Sequence, residues 1–107
     1  MNNIILYGRI VNNGFELRCK PGSAHKYIQF GLAVPDAVSP AEISMKLSHC
    51  DIFVCTAFDS TAESIIAEFK PPCWVNIEGK LKTRQRRTSD GGIDKSYTII
   101  VNKSYRA

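Results

Sequence analysis

The sequence has no apolar run close to the ~20 residues that a membrane-spanning helix needs. Its opening, Met1-Asn2-Asn3, has no feature of a secretory signal. A chain of 107 residues is long enough for one hydrophobic core, so residues 1–107 are predicted to form a single domain. We therefore expect a soluble, cytoplasmic protein without a membrane partner.

The four cysteines include no C-x-x-C pair, and nothing else suggests export to an oxidising compartment. We expect free thiols. A metal site would have to use His25, His49, Cys50 and Cys55. Zinc proteins usually bring two ligands together at C-x2-4-C spacing, but Cys50 and Cys55, five positions apart across a predicted strand start, should face opposite sides. We therefore expect neither a metal nor a cofactor.

The acidic residues have no spacing that brings three of them together, as a metal-dependent nuclease requires. They are scattered over predicted strands and a helix start: Asp51, Asp59, Glu63, Glu68 and Glu78. His49 and Cys50 are neighbours in sequence, so their side chains should face opposite ways and form no activated nucleophile. The sequence therefore predicts no enzyme.

Basic residues are the most informative feature that is present. The net charge of +4 favours an acidic partner, first nucleic acid and second an anionic membrane surface. From Val75 to Arg87, cations occupy every second position: Lys80, Lys82, Arg84 and Arg86, with Arg87 beside them. On a strand, the four alternating cations share one face and lie ~6.7 Å apart, a spacing similar to that of phosphates along an extended single strand of nucleic acid. The alternative is a solvated face that keeps the protein soluble.

Alternating apolar and polar residues predict strands over residues 4–11, 15–19, 26–34, 51–58, 74–86 and 96–103. The opposite face of this half-buried strand is expected to carry Val75, Ile77, Gly79 and Leu81. Asn12-Asn13-Gly14 is typical of a tight hairpin after the first strand. Residues 35–49 have no sustained pattern and predict a long loop, a kind of segment that often carries function.

One short helix is predicted after residue 58. Ser60 and Glu63 have the spacing of a capping box, and Pro71-Pro72 cannot continue a helix. An apolar stripe follows: Ala62, Ile65, Ile66 and Phe69. The phenylalanines Phe15, Phe30, Phe53 and Phe69 are assigned mainly to the core.

The order of these elements favours an all-β fold. With the segment at 15–19 as an extra short arm, five strands remain, and one short helix lies between strands 3 and 4. This is the order of a five-stranded oligonucleotide/oligosaccharide-binding (OB-fold) barrel, whose strands 2 and 3 and connecting loops form the ligand face.

Several segments resemble the bacterial single-stranded DNA-binding protein family, in order and over nearly the whole chain. They are Y-G-R-I, F-E-L-R-C-K-P-G-S with I-Q-F-G-L-A-V, A-E-S-I-I-A-E-F-K, and W-V-N-I-E-G-K-L-K-T-R leading through S-D-G-G to Y-T-I-I-V-N. The resemblance implies an OB-fold that binds single-stranded DNA without sequence preference, in DNA replication, recombination or repair. It also implies self-association, usually as a homotetramer, with a homodimer as the alternative.

The resemblance also implies positions where bases stack on aromatic rings. One falls on Phe58, which keeps the ring, whereas others fall on Arg86, Ile52 and near Val38. The chain therefore carries charge where the family stacks. The family usually continues into an acidic terminal peptide that recruits replication proteins, and the sequence ends at Ser104-Tyr105-Arg106-Ala107 without one. Replication partners therefore stay open, and short phage- or plasmid-borne members and the primosomal replication protein n are also similar.

The candidate DNA-binding residues follow from the pattern and the resemblance together: Lys80, Lys82, Arg84, Arg86 and Arg87 for phosphates, Phe58, Tyr27 and Tyr97 for stacking, and Arg9 and Arg18 as additions. For the two tyrosines the alternative is a hydroxyl held at the core edge. For Trp74 we expect contact with the helix end or another subunit. The competing function is a primosome-type or other OB module that binds a protein partner and nucleic acid only weakly.

Overall fold

Six strands and one helix make up the described part of the chain, which in this computed structural model comprises residues 2–12, 14–19, 21–35 and 50–106. The predicted loop and the position near Val38 fall in residues 36–49, outside the described residues. The elements are β1 (Ile4–Ile10), β2 (Arg18–Cys19), β3 (Lys26–Pro35), β4 (Cys50–Phe58), α1 (Asp59–Glu68), β5 (Cys73–Arg87) and β6 (Ile93–Arg106).

Five of the strands close into a barrel. β1 pairs with β5 along its length and with β3 at its end, where Arg9 and Ile10 face Ala33 and Leu32. β5 pairs with β6, β6 with β4 in parallel, and β4 with β3. The two-residue β2 lies outside the ring, on the free edge of β3. The predicted OB-like barrel, with its helix between the third and fourth barrel strands, is confirmed.

The barrel interior is filled by the alternate positions of its strands, as period-two patterning requires. Ile28, Phe30 and Leu32 from β3 are buried together with Val75 and Ile77 from β5. α1 adds two buried side chains to this core, Ala62 and Ile65, and its C-cap residue Phe69 adds a third. Phe15 and Phe53 pack against it while partly exposed, and Ile66, which was assigned to the same stripe, is exposed. In the described residues no helix is long and apolar enough to span a bilayer.

The start of the chain departs from the predicted hairpin. β1 pairs with β3 and β5 and not with β2, so the hairpin predicted between the first two strands was wrong, whereas Asn13 of its turn lies outside the described residues. The Asn12 side chain accepts a hydrogen bond from the Gly31 amide, 2.8 Å, and directs the chain across β3 instead. The predicted strand over residues 15–19 shortens to Arg18–Cys19, because Phe15 packs edge-on against Phe30, 5.9 Å between ring centroids.

The helix start also differs. α1 begins at Asp59, its N-cap residue is Phe58, and no side chain caps it. The capping box predicted for Ser60 and Glu63 was therefore wrong. The carboxylate nearest this helix end, that of Asp59, instead reaches back to the start of β3.

β5 and β6 continue beyond the barrel as a two-stranded arm, residues 80–87 and 93–98. A bulge between Glu78 and Gly79 marks its base. Gly79 is required there, because an added Cβ would overlap the carbonyl oxygen of Ile100. At the tip, the Thr88 amide donates to the Gly92 carbonyl, 3.0 Å, and Gly91 has a φ of +87° that suits only glycine well.

Candidate nucleic-acid interface

The basic row lies on one face of the arm, as the alternation predicts. Its members and their cross-strand partners in β6 are Lys80 with Ile100, Lys82 with Thr98, Arg84 with Ser96, and Arg86 with Asp94. Directly opposed residues of antiparallel strands project on the same side, so these eight side chains share a face. All four cations are exposed. This face continues the outer surface of the barrel, because Ile99, one position from Ile100, is buried inside.

A chain of hydrogen bonds connects the basic row to the neighbouring strands. The Thr98 hydroxyl donates to the Val54 carbonyl, 3.1 Å, and therefore accepts from the Thr56 hydroxyl, 2.9 Å. The Gln29 amide donates to Thr56, 3.4 Å. Since Thr98 is the partner of Lys82, polar contacts run from the arm across β6 and β4 to β3. These contacts fix the spacing of the strands below the basic row.

Two aromatic rings lie further along this outer face. Tyr27 and Phe58 are direct partners in the β3–β4 ladder, two positions beyond Gln29 and Thr56 and therefore on the same side. Their ring centroids are 6.1 Å apart and the planes are tilted by 47°. Phe58 is 39% exposed, so it presents ring surface to solvent. The structure thus brings two of the three predicted stacking residues onto the face that carries the cations.

Arg18 extends this row across a third strand. It is the β2 partner of Tyr27, which is in turn the partner of Phe58. The guanidinium donates to the Glu16 carboxylate, 3.1 Å, and this hydrogen bond raises the pKa of Arg18 above its ordinary value. Arg18 therefore stays a cation beside the two rings.

Asp59 is a residue that the sequence reasoning missed. Its carboxylate lies 2.9 Å from the His25 Nδ1 atom and accepts a hydrogen bond from the Lys26 amide, 3.1 Å. The bond with His25 and then that with Lys26 lower the pKa of Asp59 below its ordinary value. Asp59 also has a φ of +48°, a left-handed conformation that few residues with a side chain adopt. No local sequence signal predicts a partner 34 residues away.

Tyr97 and Arg87 lie on the opposite face of the arm from the basic row. Tyr97 is the partner of Thr83, and Arg87 is the partner of Ile93, so both belong to the other alternation. Tyr97 is 59% exposed, and Leu81 on the same face is also exposed, because the barrel ends below it. Leu81 thus lies on the predicted face, opposite the cations, but is exposed there, and the candidate residues of the arm divide between two faces.

Arg9 lies near the far edge of the outer face. It is the partner of Ala33, which is in turn the partner of Ile52 on β4. Ile52 and Val54 are both about half exposed and point outward with Phe58. The position at Ile52, where the family resemblance implies a stacked base, is thus accessible but aliphatic.

A second exposed surface covers the outside of β1. Tyr7 stacks on Trp74 with 5.2 Å between ring centroids, and Ile5 beside it is 70% exposed. Asn76 on β5 is the ladder partner of both Tyr7 on β1 and Tyr105 on β6, so the three side chains share one face. These residues, Ile5, Tyr7, Trp74 and Tyr105, are called the β1 patch below. The contact that the structure gives Trp74 is with Tyr7, and its expected contact with the helix end or another subunit stays a prediction.

The described residues contain no group of three His, Cys, Asp or Glu side chains that could hold a metal ion. Burial raises the pKa of the Cys55 thiol to about 12, so this cysteine stays protonated and is a poor nucleophile. The outer face carries cations, hydroxyls and exposed rings, groups that contact phosphates and bases in nucleic-acid complexes.

The model of the Single-strand binding protein family matches residues 1–106. The chain is a member of this family. Membership implies binding of single-stranded DNA; the family is a non-catalytic DNA-binding family, and its members typically form oligomers. The family resemblance found in the sequence is confirmed. A comparison with curated proteins finds no match.

Proposed function

We propose that this family member binds single-stranded DNA without sequence preference along the outer face. The path runs from Arg18, Tyr27 and Phe58 to the basic row on the arm. The observation that carries the proposal is the continuity of that face: the Gln29–Thr56–Thr98 hydrogen bonds lie between the rings and Lys82. Arg9 extends the same face and adds a cation at its edge.

The chemistry of this face suits single strands better than duplexes. A single strand exposes its bases for stacking, whereas a duplex hides them. Rings such as Phe58 and Tyr27 stack on any base, and Lys or Arg side chains contact phosphates that are the same at every nucleotide. Neither contact reads sequence, so the binding is general.

Charge supplies more of the affinity here than stacking. The family resemblance places stacked bases at Arg86 and Ile52, and neither residue has an aromatic ring. Stacking on this face therefore depends on Phe58 and its ring partner Tyr27. Four cations on a regular strand neutralise phosphates instead. Tyr97 and Arg87 lie on the other face of the arm, where they contact a longer single-stranded DNA that passes around the tip of the arm.

Self-association uses the β1 patch. Ile5, Tyr7 and Tyr105 expose apolar surface that a chain of 107 residues buries by pairing with a second copy. The β1 patch adjoins the proposed DNA path at Arg9, the ladder partner of Trp74, and lies at the other end of β5 from the basic row, so association leaves the cations of the arm free. We propose a homotetramer, with a homodimer as the alternative. The protein acts without catalysis in DNA replication, recombination or repair, in the cytoplasm of a bacterium or encoded by a plasmid or phage.

The test is a titration with a dT oligomer and with a duplex of equal length, each at low and high salt. We expect tighter binding of the single strand and a strong loss of affinity with salt. Equal affinity for both would contradict the proposal. Absence of binding to either would favour the alternative, an OB module that binds a protein partner.

A further inference from the structure

The Asp59 carboxylate links two chain segments directly beside the ring pair. Asp59 follows Phe58, and the residues that it binds, His25 and Lys26, immediately precede Tyr27. Tyr27 and Phe58 form the terminal pair of the β3–β4 ladder. The two bonds, 2.9 Å to the His25 ring and 3.1 Å from the Lys26 amide, therefore close this end of the ladder just beyond the rings.

The backbone at Asp59 supports a specific role for its side chain. Its φ of +48° is a conformation that glycine adopts at no cost, and α1 has no side-chain cap. A carboxylate at a helix start usually accepts bonds from the free helix amides. Here the Asp59 carboxylate bonds to His25 and to the first residue of β3 instead. The chain thus has an aspartate at a backbone position that favours glycine.

Stability of the fold is a poor explanation for this arrangement. The side chains of His25 and Asp59 are 68% and 50% exposed, and ion pairs so open to water contribute little to folding. The ends of strand ladders, however, open locally at low cost, and Tyr27 and Phe58 stand at such an end. A clamp there restrains the rings even if it barely changes the global stability.

We infer that Asp59 is a positioning residue for DNA binding: with His25 and the Lys26 amide it holds Tyr27 and Phe58 in the arrangement on which a base stacks. This inference rests on the proposed function. A simple charge argument predicts the reverse, because an acidic side chain beside a phosphate path repels DNA. The two roles therefore predict opposite effects of removing the carboxylate.

The first test compares Asp59→Gly with Asp59→Asn in titrations with a dT oligomer. Glycine fits the backbone and removes the clamp, whereas asparagine tolerates the left-handed conformation and keeps an oxygen for the Lys26 amide. We expect Asp59→Gly to weaken binding about fivefold, the lower end of the loss of one stacked base, and Asp59→Asn to stay near the parent. Tighter binding by both variants would overturn the inference.

A matched control is Glu63→Gln, which removes one negative charge from the exposed side of α1 and leaves the clamp intact. We expect its affinity to equal that of the parent or to be slightly tighter. His25→Ala removes one of the two clamp bonds and should weaken binding less than Asp59→Gly. Equal gains in Glu63→Gln and Asp59→Gly would assign the effect to charge, and equal losses would place its cause outside the clamp; either result would reject the inference.

A double-mutant cycle shows whether Asp59 acts through Phe58. In a Phe58→Ala background, Asp59→Gly should cost less than fivefold, because Tyr27 is then the one ring of the pair left to position, and in neither background should it change the salt dependence. A full fivefold loss in that background would overturn the inference. If Phe58→Ala itself leaves affinity unchanged, the stacking part of the proposed function fails instead.

Amide hydrogen exchange tests the clamp without DNA. The exchange rates of Lys26, Tyr27 and Ile28 should rise in Asp59→Gly and stay near the parent value in Asp59→Asn, while the thermal midpoint changes little. Unchanged exchange in Asp59→Gly would overturn the inference even if the DNA-binding proposal holds.

Discussion

Lys82 and Thr98 are direct partners across the β5–β6 ladder, and the Thr98 hydroxyl lies 2.9 Å from that of Thr56 on the next strand. A cation of the arm is thereby held at a fixed distance from the strands that carry Tyr27 and Phe58. Phosphate contacts and stacking are then two separable contributions to one affinity, since only the first depends strongly on salt.

The double variant Arg84→Ala/Arg86→Ala tests the first contribution. Each phosphate contact contributes a slope of about −0.7 to log K against log salt, so the four cations of the row give roughly −3 and the variant flattens this by about 1.4. The fold should remain intact, because both side chains are exposed. A matched control is Lys70→Ala/Lys103→Ala, which removes the same charge elsewhere. Unchanged affinity and slope in the arginine variant would make the basic row a solvated face.

Phe58→Ala tests the second contribution. Removing the ring should weaken binding by about 1–3 kcal/mol, the usual effect of one stacked base, without changing the salt slope. Phe58→Trp, which keeps a stacking surface, should retain most of the affinity. A changed slope, or equal losses in both variants, would mean that Phe58 supports the β4–α1 junction and does not contact a base.

Tyr97→Ala separates the two faces of the arm. Because Tyr97 points away from the basic row, we expect it to matter only for strands long enough to pass around the tip. With an oligomer of about 8 nucleotides, within the range that one OB-fold covers, affinity should not change. With an oligomer several times longer it should fall, as measured by fluorescence anisotropy at fixed salt. A loss with the short oligomer would place Tyr97 in the main path.

Ile5→Lys tests self-association through the β1 patch. Ile5 is 70% exposed in a single copy, so a lysine there leaves the fold of one chain unchanged. Burial of its charge against a second copy is unfavourable, which shifts the population toward monomer. Light scattering at micromolar concentration measures the mass, and Ile93→Lys on the arm is the control. An oligomer that persists in Ile5→Lys would locate the interface elsewhere.

Gly79→Ala should destabilise the protein. The added Cβ meets the Ile100 carbonyl oxygen, which is main chain and cannot turn aside. Overpacking of this kind costs roughly 1–3 kcal/mol, measured by denaturant unfolding. The control is Gly14→Ala, where nothing lies within 4 Å of the new methyl group. Equal stability of the two variants would show that the bulge relaxes freely.

The sequence was sufficient to predict which side chains are buried and which are exposed wherever a strand borders the core. The alternation of Ile28, Phe30 and Leu32, or of Val75 and Ile77, reflects burial on one side and solvent on the other. That rule fails at Leu81, because the barrel stops there while the strand continues. The predicted hairpin with β2 did not form because β1 pairs with β5 on one side and with β3 on the other.

The candidate site was predictable in part. The period of the basic row was sufficient to place four cations on one face. The face on which Tyr97 lies was not predictable, because it depends on the register of β6 against β5 across the Thr88–Gly92 turn. Strand alternation alone does not determine that register. The Asp59 clamp joins residues 34 positions apart, a distance over which local patterns carry no information.

The bulge at Glu78 and Gly79 divides β5 into two parts. The residues before it include core positions that folding requires, whereas the residues after it contribute no buried side chain. Residues 80–87 are all exposed, so substitutions there alter the ligand surface without touching the core. Mutations on the arm can therefore accumulate in natural variation at little cost in foldability. Related sequences should differ in cation number and arm length beyond the bulge, and should keep glycine at the bulge itself.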